Sequence, residues 1–151
     1  MGTQVIMERI INSESESATI AFAQQCANEA QKGDVFTLSG PLGAGKSVFC
    51  RAFIQYLAGY ETNVPSPTFT LVQTYETNKQ PIWHFDLYRI EDPSEIYEIG
   101  WEEALSEGIL LVEWPERLGT LIPANKKGIT FEINRDDSRN IKLTQHGRPK
   151  A

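Results

Sequence analysis

The chain is poor in cysteine: Cys26 and Cys50 stand far apart and outside any CxxC or Cys/His ligand spacing. That argues against a zinc site or a dithiol redox pair, and both residues fall in segments with helical periodicity, where a thiol packs as a small apolar group. Positive charge is also in deficit, with 14 Lys and Arg against 20 Asp and Glu and a net charge of -6. A broad basic surface for gripping nucleic acid is therefore not expected, and if nucleic acid is involved another protein holds it. Long apolar runs are missing. The longest, "GILLV", is far too short to span a bilayer, and the opening "MGTQVIMERII" carries Glu8 and Arg9 inside too short an apolar run for a signal peptide. Ile6 stands where an N-myristoylation signal needs Ser or Thr. A cytoplasmic protein with no membrane attachment is the expectation. Guanine-reading motifs are absent as well: "NKKG" at Asn125 lacks the aspartate of NKxD, and no DxxG follows a strand, which argues against a GTPase.

What is present is an ordinary soluble composition, 40% hydrophobic and 23% charged over 151 residues, enough for one domain with its own core. We expect that domain over 1–145, with 146–151 ("HGRPKA") a frayed tail. Val5 to Ile11 has strand character, and "NSESES" after it is rich in N-cap residues. Ser13 with Glu16 fits a capping box for a helix carrying Ala18, Ala21, Phe22 and Cys26 and closed by Gly33. "DVFTLS" is a short buried strand, and "VFCRAFIQYLAG" a helix stopped by Gly59. "FTLVQTYE" and "PIWHFDLYRI" flank the turn cluster "TNKQP" as a hairpin. Alternation in its second arm puts Trp83, Phe85 and Leu87 on one face and His84, Asp86 and Tyr88 on the other. Asp92-Pro93 opens a helical region broken near Gly100, "ILLVE" is the most apolar strand, "WPERLGTLIP" reads as a loop, and "GITFEIN" with "NIKLTQ" closes the chain as a hairpin. The fold class expected is α/β: a P-loop NTPase-like three-layer fold with a central mixed, mainly parallel sheet and helices on both faces.

The strongest chemical signal is "GPLGAGKS", Gly40 to Ser47, which fits GxxxxGK[ST] in full with a strand before it and a helix after. Gly40, Gly43, Ala44 and Gly45 let backbone N–H groups wrap phosphates, Val48 continues into the helix, and the helix N-terminus adds a favourable dipole. Lys46 would reach the β and γ phosphates of ATP, and the Ser47 hydroxyl would bind Mg²⁺. A P-loop also needs a carboxylate at a neighbouring strand end. Glu113 closes "ILLVE" in the Walker B manner, against the plainer reading of a solvated strand-end acid. Asp86 is the second candidate, with an ion pair to Arg89 or Arg51 equally open. Thr68 in "PSPTF" is either a switch-loop threonine or one that opens a strand. His84 and Tyr88 read as core hydrogen-bonding groups and Trp114 as a packing residue.

Together these motifs resemble the TsaE (YjeE) family, the small ATPase of the bacterial machinery that makes threonylcarbamoyladenosine in tRNA. The matching stretches are "GPLGAGKS", "SPTFTLVQTYE", "HFDLYR" with "EDPSE", and "ILLVEWPERL", in that order, over roughly 5–134. The resemblance implies that Lys46 and Ser47 serve phosphate and magnesium and that Glu113 is the Walker B-like acid. It makes Asp86 an acid needed for ATP hydrolysis, holding the metal's waters or positioning the attacking water, and Thr68 part of a switch-like loop. Trp114 is implied near the nucleotide, and the segment Glu16 to Thr19 along the adenine pocket. Ser47 stands where many members have threonine, and both carry the hydroxyl. TsaD-like and TsaB-like proteins are the implied partners, with tRNA reached only through their complex. A small-molecule P-loop kinase and a non-catalytic nucleotide-binding adaptor are the other readings.

Overall fold

The computed structural model describes residues 4–41 and 43–147. Seven strands form one sheet: β1 (Gln4–Ser13), β2 (Val35–Ser39), β3 (Val72–Tyr75), β4 (Ile82–Asp86), β5 (Ile109–Glu113), β6 (Lys127–Ile133) and β7 (Arg139–Gly147). Their order is β1-β7-β6-β2-β5-β4-β3. The central run β6, β2, β5, β4 is parallel, while the hairpin partners β7 and β3 and the edge strand β1 join antiparallel. The expected mixed sheet is therefore present, but parallel pairing is confined to its centre, three of the six strand pairings; the antiparallel margins come from two hairpins and a first strand that returns beside the last.

Helices α1 (Glu16–Glu29) and α2 (Lys46–Ala58) pack on one face of the sheet around Phe22, Phe36, Phe49, Phe53 and Phe131. Phe49 meets Phe22, Phe53 and Phe131 at centroid distances of 5.8, 6.1 and 5.9 Å, so the aromatic cluster ties α2 to both α1 and β6. On the other face lie α3 (Trp101–Glu107) and two 3-10 helices, Pro93–Ile99 and Pro115–Leu121, over Phe85, Leu87, Trp101, Leu110 and Val112. β5 is buried at every position because it is central and covered on both faces, which explains its unbroken apolar sequence. No helix among the described residues is long and apolar enough to cross a membrane.

Several local expectations shift. Ser15, not Ser13, caps α1, accepting from the Ala18 N–H; the Ser13 hydroxyl instead donates to the Ser15 carbonyl and shares a 2.8 Å hydrogen bond with Thr19. The helix ends at Glu29, because Ala30 is already extended, and Gly33 serves the turn into β2. β3 begins at Val72 rather than Phe69: the 67–71 segment folds as a turn, with Leu71 at φ 68 donating its N–H to the Pro67 carbonyl. The "WPERLGTLIP" segment is largely 3-10 helix, started by Pro115 at its first turn. β7 continues through His146 and Gly147, held by pairing with β1, so the expected tail is ordered strand to that point; 148–151 lie outside the described residues. Asp92-Pro93 opens a helical region as expected, and the structure adds a capping box there between Asp92 and Glu95.

Candidate functional site

The parallel centre of the sheet brings three strand ends to one edge. β2 delivers the glycine-rich loop, and in the neighbouring register Asp86 of β4 pairs with Glu113 of β5, so two acids emerge side by side. Gly40 has φ +145, and a Cβ there would lie 2.6 Å from the Phe131 carbonyl oxygen; only glycine allows the loop to pass so near β6. Gly43 and Gly45 hold positive φ of 80° and 112°, the second as the left-handed N-cap of α2. Ala44 is fully buried beneath the loop. The loop thus turns sharply into a helix whose first residues are Lys46, Ser47 and Val48.

A cleft of about 240 Å³ opens there, lined by Gly43, Gly45, Lys46, Ser47, Val48, Ser66, Thr68, Asp86, Glu113 and Trp114. The metal and switch residues singled out in the sequence therefore meet in one space with Gly43, Gly45, Lys46 and Val48, whereas Gly40 and Ala44 do not line it. Lys46 is 6% exposed, and its ammonium lies 4.8 Å from the centroid of the Trp114 ring. Trp114 is presented by a left-handed backbone, φ 58 and ψ 50, between the end of β5 and Pro115. It also packs against Tyr88 at 4.8 Å between centroids. Tyr88 does not continue the alternation, since β4 stops at Asp86.

Asp86 makes no ion pair with Arg89 or Arg51. Its Oδ2 accepts from the Thr68 hydroxyl at 3.1 Å and its Oδ1 from the Tyr88 N–H at 3.1 Å. Arg89 lies over Phe69 instead, and Arg51 pairs with Glu16 at 3.7 Å. Thr68 is thus not in a strand but in the turn before β3, sharing a 2.7 Å hydrogen bond with Ser66. Glu113 accepts from His84 Nε2 at 2.8 Å.

The donor chemistry fits a hard cation. Asp86 and Glu113 place two carboxylates at adjacent register positions, a like-charge arrangement that a divalent ion relieves, and Ser47 lines the same cleft. Cys50 lies below, its sulfur within 4.8 Å of the ligand atoms of His84 and Glu113. Burial, with Glu113 nearby, pushes the Cys50 thiol well above its usual range, so it stays protonated and does not turn this group into a thiolate site.

A second cleft of about 330 Å³ shares Gly43, Gly45 and Val48 with the first and is lined by Glu16, Thr19 and the β6–β7 turn. Glu16 is exposed at its mouth, while Thr19 is buried with its hydroxyl held by Ser13. Sequence reasoning missed Arg139 here. Its guanidinium donates to the Gly43 carbonyl at 3.1 Å, joining the last hairpin to the loop. Nothing local marks that arginine, because the contact spans the sheet. Ser66 was equally unmarked, although its place two residues before Thr68 is a signal.

The family described as threonylcarbamoyl adenosine biosynthesis protein TsaE matches residues 13–141. The TsaE protein of Rickettsia bellii is 42% identical over 91% of this chain and 94% of its own length. That of Bacillus subtilis is 39% identical over 92% and 85%. The crystal structure of Bacillus subtilis YdiB superposes with a TM-score of 0.78 at 29% identity, covering 95% of this chain and 89% of YdiB. With the loop, the paired acids and the matched span in agreement, the chain belongs to the TsaE family of threonylcarbamoyl adenosine biosynthesis proteins.

Proposed function

We propose that the protein is a cytoplasmic, magnesium-dependent ATPase that supports threonylcarbamoyl transfer to adenosine in tRNA by resetting a TsaB–TsaD-like transferase between turnovers. Family membership supports the role in tRNA threonylcarbamoyladenosine biosynthesis. The observation that carries the ATPase reading is the single cleft that joins Lys46 and Ser47 to Asp86, Glu113 and Thr68.

In this reading the loop amides and Lys46 hold the phosphates of ATP, and Ser47 with Glu113 holds Mg²⁺, whose bound charge neutralises the transferring phosphoryl group. Asp86 orients a water, and its bond to Thr68 ties the 66–71 turn to the site, so a change at the phosphates reaches an exposed surface segment. The second cleft takes the nucleoside, with Glu16 and Thr19 along it, while Trp114 stands beside Lys46 at the phosphate cleft. The acidic net charge agrees with a subunit that leaves tRNA to its partners.

The test is phosphate release measured with and without the purified transferase pair. Stimulation is expected, with Lys46→Ala and Glu113→Ala abolishing turnover. Normal hydrolysis in either variant overturns the assignment. Tight ATP binding without turnover, even with partners, marks an adaptor, and a phosphorylated metabolite in place of free phosphate marks a kinase.

A further inference from the structure

We infer that His84 is a positioning residue for Glu113: its Nε2–H holds one carboxylate oxygen so that the other is presented to the metal. This rests on the reading of the cleft as a metal and nucleotide site.

The parallel register of β4 and β5 sets His84 beside Leu111 and Asp86 beside Glu113, so Glu113 must turn its side chain back along the sheet to reach the imidazole. It does so at 2.8 Å, with side-chain exposures of 4% for His84 and 11% for Glu113. Among the described residues, no other group donates to the Glu113 carboxylate. The second oxygen is left free on a side chain that lines the cleft.

Among the described residues the imidazole has no other hydrogen-bond partner. Its Nδ1 is buried without a hydrogen bond, and the same face of the sheet is otherwise built here by Ile82 and Leu111. An apolar side chain would avoid that uncompensated nitrogen, so the position is not explained by packing. It is explained by what Glu113 does when released. A glutamate with free side-chain torsions samples several rotamers, so its second oxygen no longer holds one fixed place at the cleft. Ligand carboxylates elsewhere depend on such hydrogen-bonded supports for metal affinity.

The reach of two amides separates positioning from mere polarity. In His84→Gln the amide nitrogen sits near the place of Nε2 and can donate to Glu113; in His84→Asn it sits near Nδ1 and cannot. Mn²⁺ binding followed by electron paramagnetic resonance in the presence of ADP reads the metal without turnover. His84→Asn is expected to weaken Mn²⁺ binding by about 10- to 100-fold, while His84→Gln keeps most of it and metal-free ADP binding is unchanged in both. In a Glu113→Gln background, adding His84→Asn should cause no further loss. Equal affinities for the Asn and Gln variants, or a second full loss in the Glu113→Gln background, would overturn the inference while leaving the nucleotide site standing. If wild-type protein binds no Mn²⁺ with ADP, the metal reading itself falls and this inference with it.

Discussion

Replacing Lys46 with methionine separates binding from stability, and the two should move in opposite directions. The ammonium sits on the Trp114 ring, in a residue 6% exposed, and has no hydrogen-bond acceptor among the described residues. A charge-assisted hydrogen bond contributes about 1.5–3 kcal/mol, so contacts to two phosphates contribute roughly 3–6. If the ammonium leaves the indole to make them, about 0.5–2 kcal/mol is forfeited. A net loss near 3 kcal/mol for Lys46→Met corresponds to roughly 150-fold in Kd for a non-hydrolysable ATP analogue with Mg²⁺. In the empty protein the balance is different. Methionine gives up the same cation–π contact but removes a poorly solvated cation, a relief that exceeds the roughly 1–3 kcal/mol typical of an unsatisfied neutral group. Stability should therefore be unchanged or higher, as expected of a group kept for function at the expense of the fold. Calorimetric titration measures the first quantity and urea unfolding the second. A variant that binds normally, or one that loses more than about 2 kcal/mol of unfolding free energy, would refute this account of the lysine.

Other outcomes follow from the same structure. Gly40→Ala places a Cβ 2.6 Å from the Phe131 carbonyl at a positive φ, so it should lower the melting temperature and weaken nucleotide binding together. Phe49→Ala empties the centre of the aromatic cluster and should cost about 3–5 kcal/mol in urea unfolding, without changing any group in the cleft. Thr68→Val removes the hydroxyl that donates to Asp86 and should reduce turnover far more than ADP affinity, in steady-state kinetics beside direct binding. Cys26 is raised from 9.0 to about 12 by burial, so the unfolded chain releases this proton from about pH 9 upward while the folded protein retains it. Stability from this group is complete below pH 9 and falls toward pH 12. Cys26→Ala should flatten that part of a pH series of urea midpoints, and an unchanged slope would exclude the thiol as its cause.

Much of the site was legible in the chain because its signals are local. A glycine-rich turn between a buried strand and a helix, a hydrophobic strand ending in an acid, and an aspartate that breaks an aromatic alternation each declare themselves within about a dozen residues. Assigning Asp86 a role needed the family resemblance, since alternation showed only that it left the core. The misplaced features are those where two local solutions compete. Ser13 and Ser15 both suit a cap, and the choice fell to Ser15 once Ser13 was engaged by Thr19. Phe69 to Leu71 has strand composition but folds as a turn that sets Thr68 against Asp86.

The sequence by itself determined the phosphate loop from Gly40 to Ser47, the α/β class and the acid that closes β5, because backbone freedom and burial periodicity act over short spans. Tertiary structure decided which groups meet. The order β2-β5-β4 sets Asp86 beside Glu113 and His84 within reach of its carboxylate, and the return of β7 beside β6 carries Arg139 to the loop at Gly43. Strand order is settled by how whole faces bury against α1, α2 and α3, a sum over distant residues that no short stretch contains.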